Sequence, residues 1–145
     1  MQTRFFGFKV IVSVDKLDFC KGIPQKLAAF EHLLEVHSHY RGEVIMCVCV
    51  LDSDRTNSTH YRVLNRQIHE MVGRINGRFG APEYCPILYL RNMLSQPRLT
   101  ALYSIADVAV VSSLKEGINL QAMEFIAAQH DSSNPGVLVY SEFAG

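Results

Sequence analysis

The chain has 145 residues, with 14 Lys and Arg against 14 Asp and Glu, so its formal net charge is zero. Apolar residues make up 48% and charged residues 19%. That length supports one domain with a real core and falls short of two full ones. The charge balance argues against nucleic acid or an anionic membrane as partner, and no apolar run nears the roughly 18 residues of a membrane-spanning helix.

The opening stretch Met1–Phe6 has neither the long apolar region nor the small-residue cleavage site of a secretory signal. Four cysteines follow: Cys20, Cys47, Cys49 and Cys85. Cys47 and Cys49 alternate within an apolar run, so on a strand they face one side. C-x-C on a strand is a poor zinc pattern, and no second ligand pair follows at a usual distance. All four read as buried, reduced thiols, which fits a cytoplasmic protein.

In chain order, Lys9–Val14 reads as a buried strand. Pro24 to about His37 reads as a helix, with Pro24 in its first turn and Leu27, Phe30, Leu33 and Leu34 at helical spacing. Val44–Val50 is a second strand. Asn57 to about Arg78 is a helix with a stripe of Tyr61, Leu64, Ile68, Met71, Val72 and Ile75. Ile87–Leu90 is a third strand and Gln96–Ala106 a helix carrying Leu99, Leu102 and Ile105. Asp107–Ser112 is a fourth strand, Asn119–Gln129 a helix, and Gly136–Tyr140 a fifth strand. Continuous apolar strands alternating with helices predict a mostly parallel sheet covered on both faces. With right-handed crossovers this is a doubly wound, Rossmann-like α/β layer. The chain stops just after a strand, so the helix expected to cover that strand is absent and the sequence reads as a fragment.

In such a sheet, ligands bind at the carboxyl ends of the strands. After the first strand come Lys16 and Lys21, on a loop ending in Gly22. After the second come Asp52, Asp54 and Arg55. After the third come Arg91, Asn92, Met93 and Leu94, and after the fourth Lys115, Glu116, Gly117 and Ile118. Cations and helix N–H groups suit phosphate, and carboxylates suit hydroxyls, so this edge fits a sugar linked to a diphosphate. Taken singly, each feature has a plainer reading: paired loop lysines as solvated charges, Glu124 as an exposed helix residue, Gly117 as a turn. G-x-G-x-x-G and G-x-x-x-x-G-K-[ST] are both absent. The six histidines fall mainly on predicted helices, and His37-x-His39 reads as surface rather than metal site. No Ser-His-Asp or Cys-His constellation follows from spacing.

Several segments in order resemble trehalose-6-phosphate synthases, retaining glycosyltransferases of the two-domain GT-B type. They are Val14–Leu27, Val72–Gly80, Leu99–Tyr103, Asp107–Ser113, Glu116–Leu120 and Gly136–Gly145. The resemblance runs from about Lys9 to Gly145 and implies the C-terminal, nucleotide-sugar-binding domain of a GT-B enzyme. The N-terminal acceptor domain and final helices would lie outside residues 1–145. It implies transfer of glucose from UDP-glucose to glucose 6-phosphate, giving α,α-trehalose 6-phosphate with retention.

The same resemblance assigns roles. Lys16 and Lys21 would contact the donor diphosphate, and Arg55 the acceptor phosphate. Leu94 would touch the uracil. Glu116 would bind glucose hydroxyls, and Glu124 the ribose hydroxyls. The backbone through Gly117, Ile118, Asn119, Leu120 and Gln121 would face sugar and diphosphate. No metal or other cofactor is expected, and a homo-oligomer or a trehalose-phosphate phosphatase are the expected partners. Three positions depart from the pattern: Lys16 stands where Arg is usual, Glu116 where Asp is usual, and Gln121–Met123 replace a more apolar or aromatic stretch. Glu116 and Glu124 instead form E-x7-E, as in many other retaining GT-B enzymes. The departures leave room for an alternative: a catalytically weak regulatory or scaffolding homologue that keeps nucleotide-sugar binding. Another GT-B enzyme with a different donor is a third reading.

Overall fold

A computed structural model describes residues 5–52, 58–91, 94–130 and 132–145. Five strands, β1 (Lys9–Lys16), β2 (Val44–Leu51), β3 (Ile87–Leu90), β4 (Val108–Val111) and β5 (Val137–Tyr140), alternate with four α-helices. These are α1 (Ile23–Val36), α2 (Thr59–Phe79), α3 (Gln96–Ile105) and α4 (Leu120–Ala128). All five strands run parallel in the order β3-β2-β1-β4-β5. This is the expected doubly wound layer.

Side-chain alternation along β1 assigns its two faces. Val10, Val12 and Val14 join Cys47, Cys49, Leu102, Tyr103 and Phe125 in one core. Ile11 and Leu17 pack into the other, with Leu27, Phe30, Leu34, Leu64, Ile68 and Ile75. The α1 and α2 layer therefore covers one face, and the α3 and α4 layer the other. The predicted stripe of α2 is buried as expected at Tyr61, Leu64, Ile68, Met71 and Ile75, and Phe79 extends it by one turn.

Element ends differ from the sequence reading for local reasons. Strand β1 continues past Val14 because Asp15 and Lys16 stay in register with Val50 and Leu51. Strand β4 starts after Asp107, whose carboxylate accepts from the Val10 N–H (2.8 Å) and from Lys9 Nζ (2.7 Å). The thiols need correction. Cys47 and Cys49 are buried on one face, and burial pushes the Cys49 thiol up to about 12. Cys20 and Cys85 are exposed, because both sit in connections rather than in the sheet. His37 and His39 are exposed as read, and among the described residues no group of His, Cys, Asp or Glu could hold a metal ion. No helix among the described residues is long and apolar enough to cross a membrane.

Candidate nucleotide-sugar site

Chain order reverses between the neighbouring strands β1 and β4, since β1 leads outward to β2 and β3 while β4 returns to its other side. A reversal of this kind opens a crevice at the carboxyl ends of the two strands. The loops at that crevice are 17–22, after β1, and 112–119, after β4.

The first loop is shaped by Asp18 and Gly22. Asp18 accepts from the Cys20 N–H (3.0 Å) and opens a single 3-10 turn over Phe19–Lys21. Gly22 ends that turn and begins α1 with φ +63°, a left-handed conformation that glycine adopts without strain. A Cβ there would lie 2.3 Å from the Ser112 carbonyl oxygen. The approach is that close because the two loops are bonded together. Ser112 Oγ donates to the Lys21 and Gly22 carbonyls (3.2 and 3.1 Å), and the Leu114 N–H donates to the Cys20 carbonyl (2.7 Å).

Glu116 is the hub of the second loop. Its carboxylate pairs with Lys21 Nζ and accepts from Ser113 Oγ (2.6 Å) and Asn119 Nδ2 (2.8 Å). Lys21 and Glu116 side chains are only 15% and 14% exposed, so the pair is largely shielded from solvent. Burial alone would raise the Glu116 carboxyl. The bonds from Lys21, Ser113 and Asn119 outweigh it and hold the group below its ordinary value. Asn119 in turn caps α4 by accepting from the Ala122 N–H (2.8 Å). The next N–H groups of that first turn, on Leu120 and Gln121, have no carbonyl partner four residues back within the helix. They make the helix start a donor-rich, electropositive wall.

A third loop braces the second. The Glu116 N–H donates to the Phe143 carbonyl (3.0 Å), and Tyr140 Oη donates to the Ala144 and Gly145 carbonyls (2.7 and 2.9 Å). Gly145 has φ +89°, and a Cβ there would coincide with the Gly117 carbonyl. The motif Gly136–Gly145 thus supports the backbone of 116–117, a role that sequence reasoning did not give it. Gly117 itself has open space where a side chain would project.

The sequence-predicted residues are distributed as follows. Lys16 ends β1 and is exposed at the crevice. Lys21, Glu116, Gly117, Ile118, Asn119, Leu120 and Gln121 come together there. Ile118 and Leu120 are exposed apolar side chains beside it. Glu124 lies one turn into α4, partly buried. Its charge, after the larger effect of burial, raises the phenol of Tyr103. The Tyr103 hydroxyl is buried and has no hydrogen-bond partner among the described residues. Leu94 packs on the core beneath α3 and α4. The cation Arg91 is engaged by Asp52 (3.2 Å) rather than free at the edge. Arg55, with Asp54, Asn92 and Met93, lies outside the described residues.

One polar cluster was missed. Lys26 Nζ, on α1, contacts Asp15 Oδ2 (2.6 Å) and Ser13 Oγ (2.8 Å), and Ser13 Oγ donates to the same Asp15 oxygen (2.6 Å). The signal was present in the sequence. Ser13 and Asp15 interrupt an apolar strand on one face, and Lys26 falls on the helical stripe of Ile23, Leu27 and Phe30.

Fold and crevice together define a doubly wound α/β domain of the GT-B glycosyltransferase kind, with its crevice at the β1/β4 switch point. The chain belongs to glycosyltransferase family 20, which matches residues 1–145. It is similar to alpha,alpha-trehalose-phosphate synthase (UDP-forming) 1 of Arabidopsis thaliana, 46% identical over 145 residues, all of this chain and 15% of that protein. Among solved structures, it resembles the Burkholderia xenovorans alpha,alpha-trehalose-phosphate synthase (UDP-forming) in complex with glucose-6-phosphate. That match has a TM-score of 0.94 and 39% identity and covers 99% of this chain and 31% of the other. The E. coli protein bound with UDP-2-fluoro glucose gives a TM-score of 0.93 at 35% identity, with coverage of 99% and 31%. The chain therefore spans under a third of the length of these relatives.

Proposed function

We propose that this chain is the donor-binding part of an enzyme that transfers glucose from UDP-glucose to glucose 6-phosphate, with retention, to give α,α-trehalose 6-phosphate. The observation that carries the reading is the meeting of Lys21, Glu116 and the α4 N-terminus at the switch point. Cations and oriented N–H groups at this crevice would stabilise a diphosphate as it takes on charge when the glycosidic bond breaks. The solved relatives holding glucose-6-phosphate and UDP-2-fluoro glucose support both substrates.

In this reading Lys16 and Lys21 stabilise the departing diphosphate together with the helix start. Glu116 orients glucose hydroxyls and Glu124 the ribose. Leu94 meets the uracil, and Arg55 reaches the acceptor phosphate. The leaving phosphate takes the acceptor proton, on the face the acceptor attacks, and no side chain acts as nucleophile. No metal or other cofactor is expected, and the cytoplasm is the compartment. The acceptor is completed by a second domain outside these residues.

A second reading, a weakly active regulatory homologue, is favoured by one observation: Glu116 engages the Lys21 charge. Glu116 has an arm one methylene longer than the aspartate usual in trehalose-6-phosphate synthases. Initial rates of UDP release by the full-length protein, with and without glucose 6-phosphate, separate the two. Acceptor-dependent release is expected from the synthase. UDP-glucose binding with no acceptor-dependent release would favour the regulatory homologue.

A further inference from the structure

The buried Lys26–Asp15–Ser13 cluster lies outside the crevice yet holds both ends of the loop that forms it. Asp15 immediately precedes Lys16, and faces α1 because it shares the sheet face of Ile11 and Leu17. Lys26 sits in the first turn of α1, where its N–H makes the first helical bond to the Gly22 carbonyl (3.0 Å). Lys21 is the residue before Gly22. The Lys26–Asp15 contact therefore spans residues 16–22 from one side to the other, and both lysines of the crevice lie within that span.

A structural need alone does not account for this pair. Both side chains are almost fully buried, at 1% and 2% exposure. Removing two charges from water is costly, and well-packed apolar residues in place of a buried ion pair are often neutral or stabilising. The surrounding core is aliphatic and aromatic, supplied by Leu17, Ile23, Leu27 and Phe30. An apolar contact there would join α1 to β1 but could slide. Lys26 Nζ instead meets both Ser13 Oγ and Asp15 Oδ2, two positions apart on β1, and so fixes α1 along the strand as well as across it.

We propose that Lys26, Asp15 and Ser13 are positioning residues for the donor site. They set the distance between the end of β1 and the start of α1, and thereby the placement of Lys16 and Lys21 on a diphosphate. This rests on the donor-site reading given above. The cluster brackets the segment that carries both lysines assigned to the donor diphosphate, so its effect falls on the donor and not on the acceptor. Misplacement by about 1 Å can cost on the order of a hundredfold in rate.

The test uses the full-length protein, with wild-type synthesis measured first. Absence of wild-type turnover would refute the proposed function itself. Given turnover, three variants follow: Lys26→Met, the charge-neutral double variant Asp15→Asn with Lys26→Met, and Lys26→Arg. The double variant is expected to melt within a few degrees of wild type while its KM for UDP-glucose rises roughly tenfold or more. Its KM for glucose 6-phosphate should stay within about twofold, and Lys26→Arg should recover most of the donor KM. A folded double variant with wild-type donor KM overturns the proposal. So does a double variant with collapsed melting temperature and equal loss on both substrates, which would make the cluster purely structural.

Discussion

Replacing Lys21 by alanine probes the crevice most sharply. The Lys21 side chain is 15% exposed and its ammonium pairs with Glu116. An ammonium carries three donors, so it can keep Glu116 and still bond a phosphate oxygen. A hydrogen bond involving a charged group contributes about 1.5–3 kcal/mol. At about 1.4 kcal/mol per tenfold, Lys21→Ala should weaken UDP-glucose binding by roughly 10- to 150-fold. Glu116 would retain Ser113 and Asn119 as partners, so the loop should hold its shape. Isothermal titration of the full-length variant with UDP-glucose measures the change, and a thermal melt checks folding. A folded variant whose affinity stays within twofold of wild type would remove Lys21 from the donor site.

Gly22→Ala should lower stability by at least about 1–2 kcal/mol from left-handed backbone alone. Added strain comes from a Cβ 2.3 Å from the Ser112 carbonyl oxygen; an unchanged melting temperature would contradict that geometry. The depressed carboxyl of Glu116 gives a pH dependence. Its ordinary value is 4.5 and its folded value lies lower, so its contribution is present above about pH 4.5 and lost as pH falls through the folded value. Urea denaturation at pH 6 and pH 3 should show a smaller acid loss in Glu116→Gln than in wild type, and equal losses would sink the assignment. The 145-residue chain alone should make no trehalose 6-phosphate if, as proposed, a second domain supplies the acceptor wall; turnover by it in a coupled UDP-release assay would refute the two-walled cleft.

The sheet and its helices were legible because buried parallel strands are continuous apolar runs, and because α2 repeats its apolar residues at helical spacing. Ends were less legible. Asp15 and Lys16 look like loop residues, yet the β2 register carries them into the ladder. The place of Glu116 at the crevice was legible from its position after β4, but its Lys21 partner was not, since 95 residues separate them in sequence. Lys26 was hidden for the opposite reason. A lysine on a helix is normally solvated, and only the polar pair Ser13 and Asp15 on a facing strand hints that it turns inward. The exposure of Cys20 and Cys85 was missed because the general preference of thiols for cores does not separate sheet from connection.

The central claim is tested most directly by incubating the full-length protein with UDP-glucose and glucose 6-phosphate and resolving the product by NMR. The account predicts α,α-trehalose 6-phosphate with both anomeric centres α, formed with equimolar UDP. UDP-glucose left intact after incubation with the complete, folded protein would contradict it.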